Sequence, residues 1–155
     1  MAGEVDARLA KLGIEVPVAA APVANYVGYV QTGNLVFVSG QVPIKDGKFL
    51  YQGKLGAGMP LEDAQAAARL CAINIVAQVK AACGGNLDRV QRVVKLTGFV
   101  NSTGDFTDQP KVVNGASDLM VEVFGDKGKH SRAAVSAAAL PAGVAVEVEA
   151  VVQIG

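Results

Sequence analysis

The sequence predicts an α+β domain in which two helices cover one face of a mixed β-sheet. Two long stretches carry apolar residues at helical spacing, and several shorter stretches rich in Val, Leu, Thr and Phe are typical of strands. In chain order the predicted elements run β-β-(β)-α-β-α-β-β, without an internal repeat or a clear linker. With 155 residues, 51% of them hydrophobic, the chain suffices for one domain with a real core.

The N-terminal part of the chain predicts an extension that precedes the domain. Residues 5–12 are expected to form a short helix that ends at a glycine, and residues 14–25, rich in Pro and Ala, are expected to be extended. We therefore divide the chain into an N-terminal arm at residues 1–25 and a domain at residues 26–155.

A hairpin opens the domain. Residues 26–31 and 35–38 have strand composition and flank a Thr32-Gly33-Asn34 turn. A loop at residues 48–58 contains three glycines but has neither the Gly-Lys-Ser/Thr ending nor the strand-loop-helix context of a phosphate-binding loop. We expect it to be a flexible flap.

Two helices follow, separated by a strand at residues 90–101. Pro60 suits the first turn of the first helix, and Gly84-Gly85 ends that helix. Pro110 opens the second helix, and Gly125 closes it. The apolar stripe of the first helix is Ala64, Ala68, Cys71, Ile75, Val79 and Ala82, and that of the second is Val112, Val113, Ala116, Leu119, Met120, Val123 and Phe124.

The last two strands, at residues 133–139 and 144–154, are expected to pair with each other. Strand alternation places Val146 and Val148 on one face of the last strand and Glu147 and Glu149 on the other. Two helices cover only one face of a sheet, and the other face still carries Val and Ala. We therefore expect a second subunit to cover it, which predicts a homo-oligomer.

The charge balance limits the possible partners. Lys and Arg number 14, as do Asp and Glu, so the sequence lacks the basic surface typical of nucleic-acid binding. No secretory signal or long apolar run is visible, which predicts a soluble, cytoplasmic protein. Cys71 and Cys83 are twelve residues apart on one predicted helix, about 18 Å, so we expect free thiols.

Arg132 and Glu147 are the candidate site residues. The planar guanidinium of arginine suits a carboxylate. A glutamate on a mostly apolar strand needs a hydrogen-bonding or ionic partner, or has a functional role. A turn at Leu140-Pro141 is expected to bring the two together as a pocket for a carboxylate-bearing molecule. The alternative is an interface salt bridge for Arg132 and a solvated carboxylate for Glu147.

Other polar residues have simpler interpretations. Glu149 is expected to be a solvated carboxylate on the same face as Glu147. His130, the sole histidine, is expected on a solvent-exposed loop beside Lys127 and Lys129. One histidine and two helical cysteines make no credible zinc site, so no metal is predicted.

A series of landmarks in a fixed order resembles the RidA/YjgF family of enamine/imine deaminases, once described as translation inhibitors or endoribonucleases. The resemblance covers residues 26–155, and the ordered set is more specific than any one piece. The landmarks are Tyr26, Gly33-Asn34, Ser39-Gly40-Gln41-Val42-Pro43, Ala81-Ala82-Cys83-Gly84-Gly85, Lys95-Leu96-Thr97-Gly98-Phe99-Val100, Asp105-Phe106, Val113-Asn114, Ser131-Arg132, Leu140-Pro141 and Val146-Glu147-Val148-Glu149-Ala150.

The resemblance implies a chorismate-mutase-like fold and a homotrimer whose three sheets enclose a barrel, with sites in the clefts between subunits. It also implies a reaction: hydrolysis of short-lived 2-enamine or 2-imine acids, such as 2-aminoacrylate, to 2-keto acids and ammonia. No metal or organic cofactor is implied.

The resemblance also assigns roles to residues. Arg132 matches the arginine that grips the substrate carboxylate, and Glu147 matches the glutamate that activates water. Tyr26 matches a tyrosine that closes the pocket from the adjacent subunit. Ser39 and Asn114 match polar pocket positions. The backbone at Ala134 would polarise the imine.

Several departures from the family pattern indicate a divergent subgroup. Ala134 stands where many deaminases have a cysteine, so reactive-thiol chemistry is not expected. The N-terminal extension and the longer loop at residues 48–58 are further departures.

Three competing functions stay open on the sequence. The first is a non-catalytic trimer that binds a small carboxylate. The second is an endoribonuclease, which the balanced charge and the absence of a basic stripe disfavour. The third is a structural or chaperone-like trimer, in which Arg132 would affect only stability.

Overall fold

A computed structural model describes residues 3–22 and 24–155 of the chain. Residues 1, 2 and 23 of the predicted N-terminal arm lie outside the described residues. The helices are α1 (Glu4–Leu12), α2 (Leu61–Ala82) and α3 (Gln109–Phe124), and the strands are β1 (Tyr29–Thr32), β2 (Leu35–Gln41), β3 (Ile44–Lys45), β4 (Lys48–Phe49), β5 (Val90–Asn101), β6 (Ser131–Ala137) and β7 (Val146–Ile154). Within the described ranges, no helix combines the length and apolarity needed to cross a membrane.

Five strands form one mixed sheet in the order β1-β2-β7-β5-β6. β5 and β6 are parallel, and the other neighbours are antiparallel. The helices α2 and α3 pack together over one face of this sheet, and the inward side chains of β5 and β7 are buried beneath them. The predicted α+β class, with two helices on one face of a mixed sheet, is confirmed.

The expected pairing of the last two strands is wrong, because β5 lies between β6 and β7. The reason is the crossover made by α3. A strand, a helix and a second strand favour a parallel pair, and β5-α3-β6 forms such a unit. β6 therefore takes one edge of β5, and β7 pairs with its other edge. A local turn signal at Leu140-Pro141 could not reveal this long-range choice.

Two glycines allow α3 to sit close to its neighbours. A Cβ atom built on Gly115 would lie 2.1 Å from the backbone oxygen of Gln65 on α2. A Cβ on Gly98 of β5 would lie 2.5 Å from a methyl carbon of Val113. Both distances are shorter than real contacts, so α3 is held tightly against α2 and β5. This packing fixes the distance between α3 and the neighbouring strand β6.

The first part of the N-terminal arm is anchored to the domain. Val5 and Leu9 of α1 are buried in the common core. The Asp88 carboxylate accepts hydrogen bonds from the backbone N–H groups of Glu4, at 3.1 Å, and Val5, at 3.0 Å. These bonds satisfy two of the open donors at the start of α1.

The loop at residues 48–58 is not the free flap that was expected. Leu55 is buried in the core, and its backbone pairs with Ser102. The Lys54 ammonium donates to Asn101 Oδ1 at 2.7 Å and also to the Ala138 carbonyl. The apolar side chain of Leu55 and the charged side chain of Lys54 therefore hold the segment in place. Its glycine content alone could not predict these contacts.

Candidate functional site

Arg132 lies on the edge strand β6 and points toward α3. It pairs in register with Leu96, whose side chain is fully buried under the helices, so Arg132 occupies the helix-covered side of the sheet. Arg132 Nη1 donates to Asn114 Oδ1 at 2.8 Å and to Ser117 Oγ at 3.2 Å. Both partners belong to α3, so the helix and the edge strand together orient the guanidinium.

His130 extends this group of residues. Its Nε2 lies 2.8 Å from Ser117 Oγ, and its Nδ1 lies 2.6 Å from the Gly128 carbonyl oxygen. The expected loop position of His130 is confirmed, but the expected solvent exposure is wrong, because the ring is half-buried and bonded at both nitrogens.

Sequence reasoning missed the roles of Ser117 and His130, although their spacing was a usable signal. His130 lies two residues before Arg132, directly ahead of β6, and Ser117 lies three residues after Asn114 on α3. Both spacings place side chains on a shared face.

Ala134 lies beside this network. It pairs in register with Gly98, so it shares the helix-covered side of β6 with Arg132, and it packs partly against the core. We call Arg132, Asn114, Ser117, His130 and Ala134 the arginine half.

The positive charge of Arg132 has no counter-charge nearby. Across residues 3–22 and 24–155, no carboxylate lies within 4.0 Å of its guanidinium. In the same residues only Nη1 makes a hydrogen bond, so the edge formed by Nε and Nη2 is open. That edge presents two parallel N–H donors, the pattern that binds a carboxylate.

Glu147 lies on the opposite, helix-free side of the sheet. It pairs in register with Phe99, three residues beyond Leu96 on β5, and the side chain is half-buried. Burial raises the pKa of the Glu147 carboxyl above its ordinary value, and the nearby charge of Glu149 raises it further. No ion pair with Glu147 is formed within the described parts of the chain. Glu147 is therefore a carboxylate that binds a proton more readily than usual.

The bulge in β2 brings Gly40 against Glu147. A Cβ atom on Gly40 would lie 2.4 Å from Glu147 Oε2, so the carboxylate rests directly on glycine backbone. The preceding residue, Ser39, donates its hydroxyl to the Val27 carbonyl at 2.7 Å. This bond anchors the segment that carries Tyr26, whose side chain is 57% exposed. We call Glu147, Gly40, Ser39 and Tyr26 the glutamate half.

The two halves do not meet within one protomer. Arg132 and Glu147 lie on opposite faces of the sheet, with β5 between their strands. The expectation that a turn brings these two residues together is wrong, because β6 and β7 are not neighbours. A site that uses both side chains needs two copies of the chain.

Another cavity of the protomer lies away from both halves. It has a volume of about 920 Å³ and lies between residues 12–20, α2 and the hairpin of β3 and β4. None of the six candidate residues lines it. The cavity is therefore separate from the arginine half and the glutamate half.

Comparison with known proteins identifies the family. Residues 6–151 match the family model described as "YjgF/chorismate_mutase-like, putative endoribonuclease". The chain belongs to the RidA/YjgF family. The RutC family protein y4sK of Sinorhizobium fredii is 32% identical over 85% of this chain and 89% of its own length. Protein TCP17 of Trypanosoma cruzi is 53% identical over 98% of this chain and 95% of its own length.

Solved structures of RidA/YjgF-like proteins share the fold. Atu1372, a protein of unknown function from Agrobacterium tumefaciens, is 48% identical with a TM-score of 0.91, over 97% of this chain and 92% of that chain. Escherichia coli TdcF, solved with bound serine, is 25% identical with a TM-score of 0.62, over 88% of this chain and 94% of that chain. The observed architecture is therefore the YjgF/chorismate-mutase-like fold.

Proposed function

We propose that the chain hydrolyses reactive 2-enamine and 2-imine acids to 2-keto acids and ammonia. The observation that carries the proposal is a pair of complementary groups, each lacking a counter-charge within the described residues. Arg132 has an open N–H edge, and Glu147 has a half-buried carboxylate with a raised pKa. An anionic substrate suits the first group, and activation of a water molecule suits the second.

The site is formed between subunits, with the arginine half of one protomer facing the glutamate half of the next. Three apolar side chains on the helix-free face support such an assembly: Val30, Phe37 and Val135 are 54%, 44% and 43% exposed. The strand registers place all three on the same side of the sheet as Glu147. Their burial by other copies would stabilise an oligomer. The assembly is a homotrimer, with a mass three times 15.8 kDa in sedimentation experiments.

In this mechanism Arg132 binds the substrate carboxylate through Nε and Nη2, a charge-assisted contact that contributes about 1.5–3 kcal/mol. Glu147 of the neighbouring subunit takes a proton from water as the oxygen forms a bond to the imine carbon. The backbone at Ala134 lies on the edge strand β6, beside Arg132, and polarises the C=N bond. Tyr26 closes the pocket from the same neighbouring subunit.

The carbinolamine formed in this way then decomposes. Starting from the protonated imine, the carbinolamine is neutral, and the proton held by Glu147 passes to its nitrogen. The C–N bond then breaks as ammonia leaves, and the hydroxyl oxygen becomes the carbonyl of the keto acid. The hydroxyl proton returns to Glu147, which passes it to the departing ammonia. Water adds readily to imines, so the protein accelerates the reaction mainly by positioning the reactants.

A second candidate is non-catalytic binding of a small carboxylate. The bound serine in the TdcF structure favours it, because serine carries a carboxylate and is not an imine. Both candidates place a carboxylate on Arg132, so binding alone does not separate them. Turnover that depends on Glu147 does.

The test generates 2-imino acids in situ with an amino-acid oxidase and measures how far the protein outcompetes semicarbazide for them. We expect wild-type protein to suppress semicarbazone formation. Glu147→Gln should lower the rate by about 10²–10⁴-fold, because the substitution removes the base. Arg132→Lys should raise KM more than it lowers kcat, because lysine keeps the charge but lacks the fork.

Two matched substitutions serve as controls. Glu149→Gln changes a carboxylate two residues along the same face, and Arg92→Lys changes an exposed arginine on β5. Both should retain wild-type rates at pH 8. A wild-type protein that binds keto acids without accelerating imine loss would support the non-catalytic candidate. A rate that survives Glu147→Gln would contradict the assigned role of Glu147.

A further inference from the structure

A continuous chain of hydrogen bonds runs from the Gly128 backbone to Arg132. It passes from the Gly128 carbonyl to His130 Nδ1 at 2.6 Å, from His130 Nε2 to Ser117 Oγ at 2.8 Å, and from Ser117 Oγ to Arg132 Nη1 at 3.2 Å. We propose that His130, acting through Ser117, is a positioning residue that holds Arg132 with its Nε/Nη2 edge directed at the substrate carboxylate. This inference rests on the proposed function.

The donors and acceptors in this chain assign its direction. A carbonyl oxygen only accepts, so His130 Nδ1 carries a proton and donates it to Gly128. In the neutral ring Nε2 then accepts, and the Ser117 hydroxyl donates to it. The lone pairs of Ser117 Oγ are thereby turned toward the Arg132 Nη1–H donor. His130 thus sets the orientation of a hydroxyl that could otherwise rotate freely.

The Gly128 end of this hydrogen-bond chain is fixed by tight backbone packing. A Cβ atom on Gly128 would lie 2.1 Å from the Met120 carbonyl oxygen of α3, so the acceptor of His130 is pressed against the helix. Ser117 belongs to the same helix. The helix that supplies Ser117 therefore also fixes the position of the carbonyl that orients His130.

The arrangement determines which edge of the guanidinium is open. Nη1 has two hydrogens, and its two acceptors are Asn114 Oδ1 and Ser117 Oγ. With Nη1 engaged, only the side-on edge of Nε and Nη2 can form two parallel bonds to a carboxylate. A planar carboxylate uses both donors, whereas the isosteric primary amide offers one acceptor and one mismatched donor. His130 should therefore increase discrimination between acid and amide.

The experiment compares His130→Asn with His130→Gln. An asparagine can replace the Nδ1 donor to Gly128 but falls short of Ser117, whereas a glutamine can place its terminal oxygen where Nε2 lies. Dissociation constants are measured for 2-oxobutanoate and for its amide, 2-oxobutanamide. We expect His130→Asn and Ser117→Ala to weaken binding of the acid by about tenfold with little effect on the amide. His130→Gln should recover most of the loss, and Ser131→Ala, one residue from Arg132, should match wild type.

The second readout is independent of the ligand. Side-chain ¹⁵N–¹H spectra should show the Nη1 hydrogens of Arg132 as separate signals in wild type and in Ser131→Ala, because their bonds slow rotation of the guanidinium. The signals should merge in His130→Asn and Ser117→Ala. Sedimentation of each variant establishes that the assembly is unchanged.

The results separate the inference from the proposed function. If wild type binds neither ligand but the guanidinium signals change as expected, the carboxylate site is refuted and the positioning of Arg132 stands. If His130→Asn keeps both the acid/amide ratio and the separate signals, the inference is overturned. It is also overturned if His130→Gln is no better than His130→Asn, because the ring would then only fill space.

Discussion

The arginine half and the glutamate half differ in how their polar groups are satisfied. Arg132 donates hydrogen bonds to two side chains of α3, Asn114 and Ser117. The Ser117 hydroxyl is in turn hydrogen-bonded to His130. Glu147 forms no ion pair in the described residues and rests on the backbone of Gly40. The arginine half is organised within one protomer. The glutamate half instead presents an acid without an ion pair on the helix-free face of the sheet.

The layer above each half explains the difference. Arg132 faces a helix, whose polar side chains accept hydrogen bonds from its guanidinium. Glu147 faces the side of the sheet that no helix of the described chain covers, so burial removes water from it without supplying donors. The pKa of the Glu147 carboxyl is therefore raised. This difference suits the proposed mechanism, in which Arg132 is the binding group and Glu147 is the proton acceptor.

The sharpest test of this division is complementation between two inactive variants. Arg132→Ala and Glu147→Gln should each be near background alone. When the two are refolded together in equal amounts, each site of the proposed assembly draws one half from each of two protomers. Both halves are then intact in about a quarter of the sites, so we expect about a quarter of wild-type activity.

The control for complementation is each variant refolded alone and wild type refolded in parallel. Recovery near the expected fraction requires Arg132 and Glu147 to act from different protomers. A mixture that stays at background, with mixed oligomers verified by native mass spectrometry, would mean that both side chains act within one protomer.

The glutamate half can be perturbed without touching a charged residue. Gly40→Ala places a methyl group where Glu147 Oε2 now lies, 2.4 Å from the ideal Cβ position. The end of a flexible side chain can move, so we expect the fold to survive and the carboxylate to shift. Activity should fall by about tenfold, in kcat more than in KM, because the base is displaced while Arg132 still binds substrate.

Gly104→Ala is the matched control, since a Cβ on Gly104 would meet no atom within 4 Å. It should leave kcat at the wild-type value. If Gly40→Ala also has wild-type kcat, then the present position of the Glu147 carboxylate does not matter for the reaction.

The sequence predicted the local elements well and the long-range arrangement less well. Periodicity located α2, α3 and β5 to within a residue or two, because each carries its pattern over more than ten residues. It failed for the pairing of β6 with β7, since pairing depends on which strand occupies each edge of β5. A turn between two apolar runs cannot report that choice.

The candidate site shows the same limit. Residue chemistry and the family resemblance both selected Arg132 and Glu147 as candidates. Their separation onto opposite faces, however, follows from the registers Leu96–Arg132 and Phe99–Glu147. A register is a property of the whole sheet and is invisible in a local motif. The support of Arg132 by Ser117 and His130 was missed for a related reason, because a helix and a strand had to be docked before their residues could meet.

The last prediction concerns stability, where the two halves should respond with opposite signs. Arg132→Ala removes two hydrogen bonds within the protomer and should lower Tm by about 1–3 °C. Glu147→Gln should raise Tm at neutral pH. A carboxyl whose folded pKa is raised contributes stability that is fully present below its unfolded pKa and is lost as pH rises through the folded pKa. The rise in Tm caused by Glu147→Gln should therefore appear at pH values above the folded pKa of Glu147. It should vanish as the pH falls below the ordinary carboxyl pKa.

Thermal unfolding at matched protein concentration across pH 4 to 8 measures both effects, with Glu149→Gln as the reference for an exposed carboxylate. Removing the Glu149 charge also removes its Coulombic repulsion of the Glu147 carboxylate. The Tm of this variant should therefore rise less than that of Glu147→Gln, in the same pH range. A lower Tm for Glu147→Gln at neutral pH would mean that the carboxylate has a stabilising partner in the assembled protein. The opposite result would show that the chain retains an acid that destabilises its own fold, which is the behaviour of a group kept for chemistry.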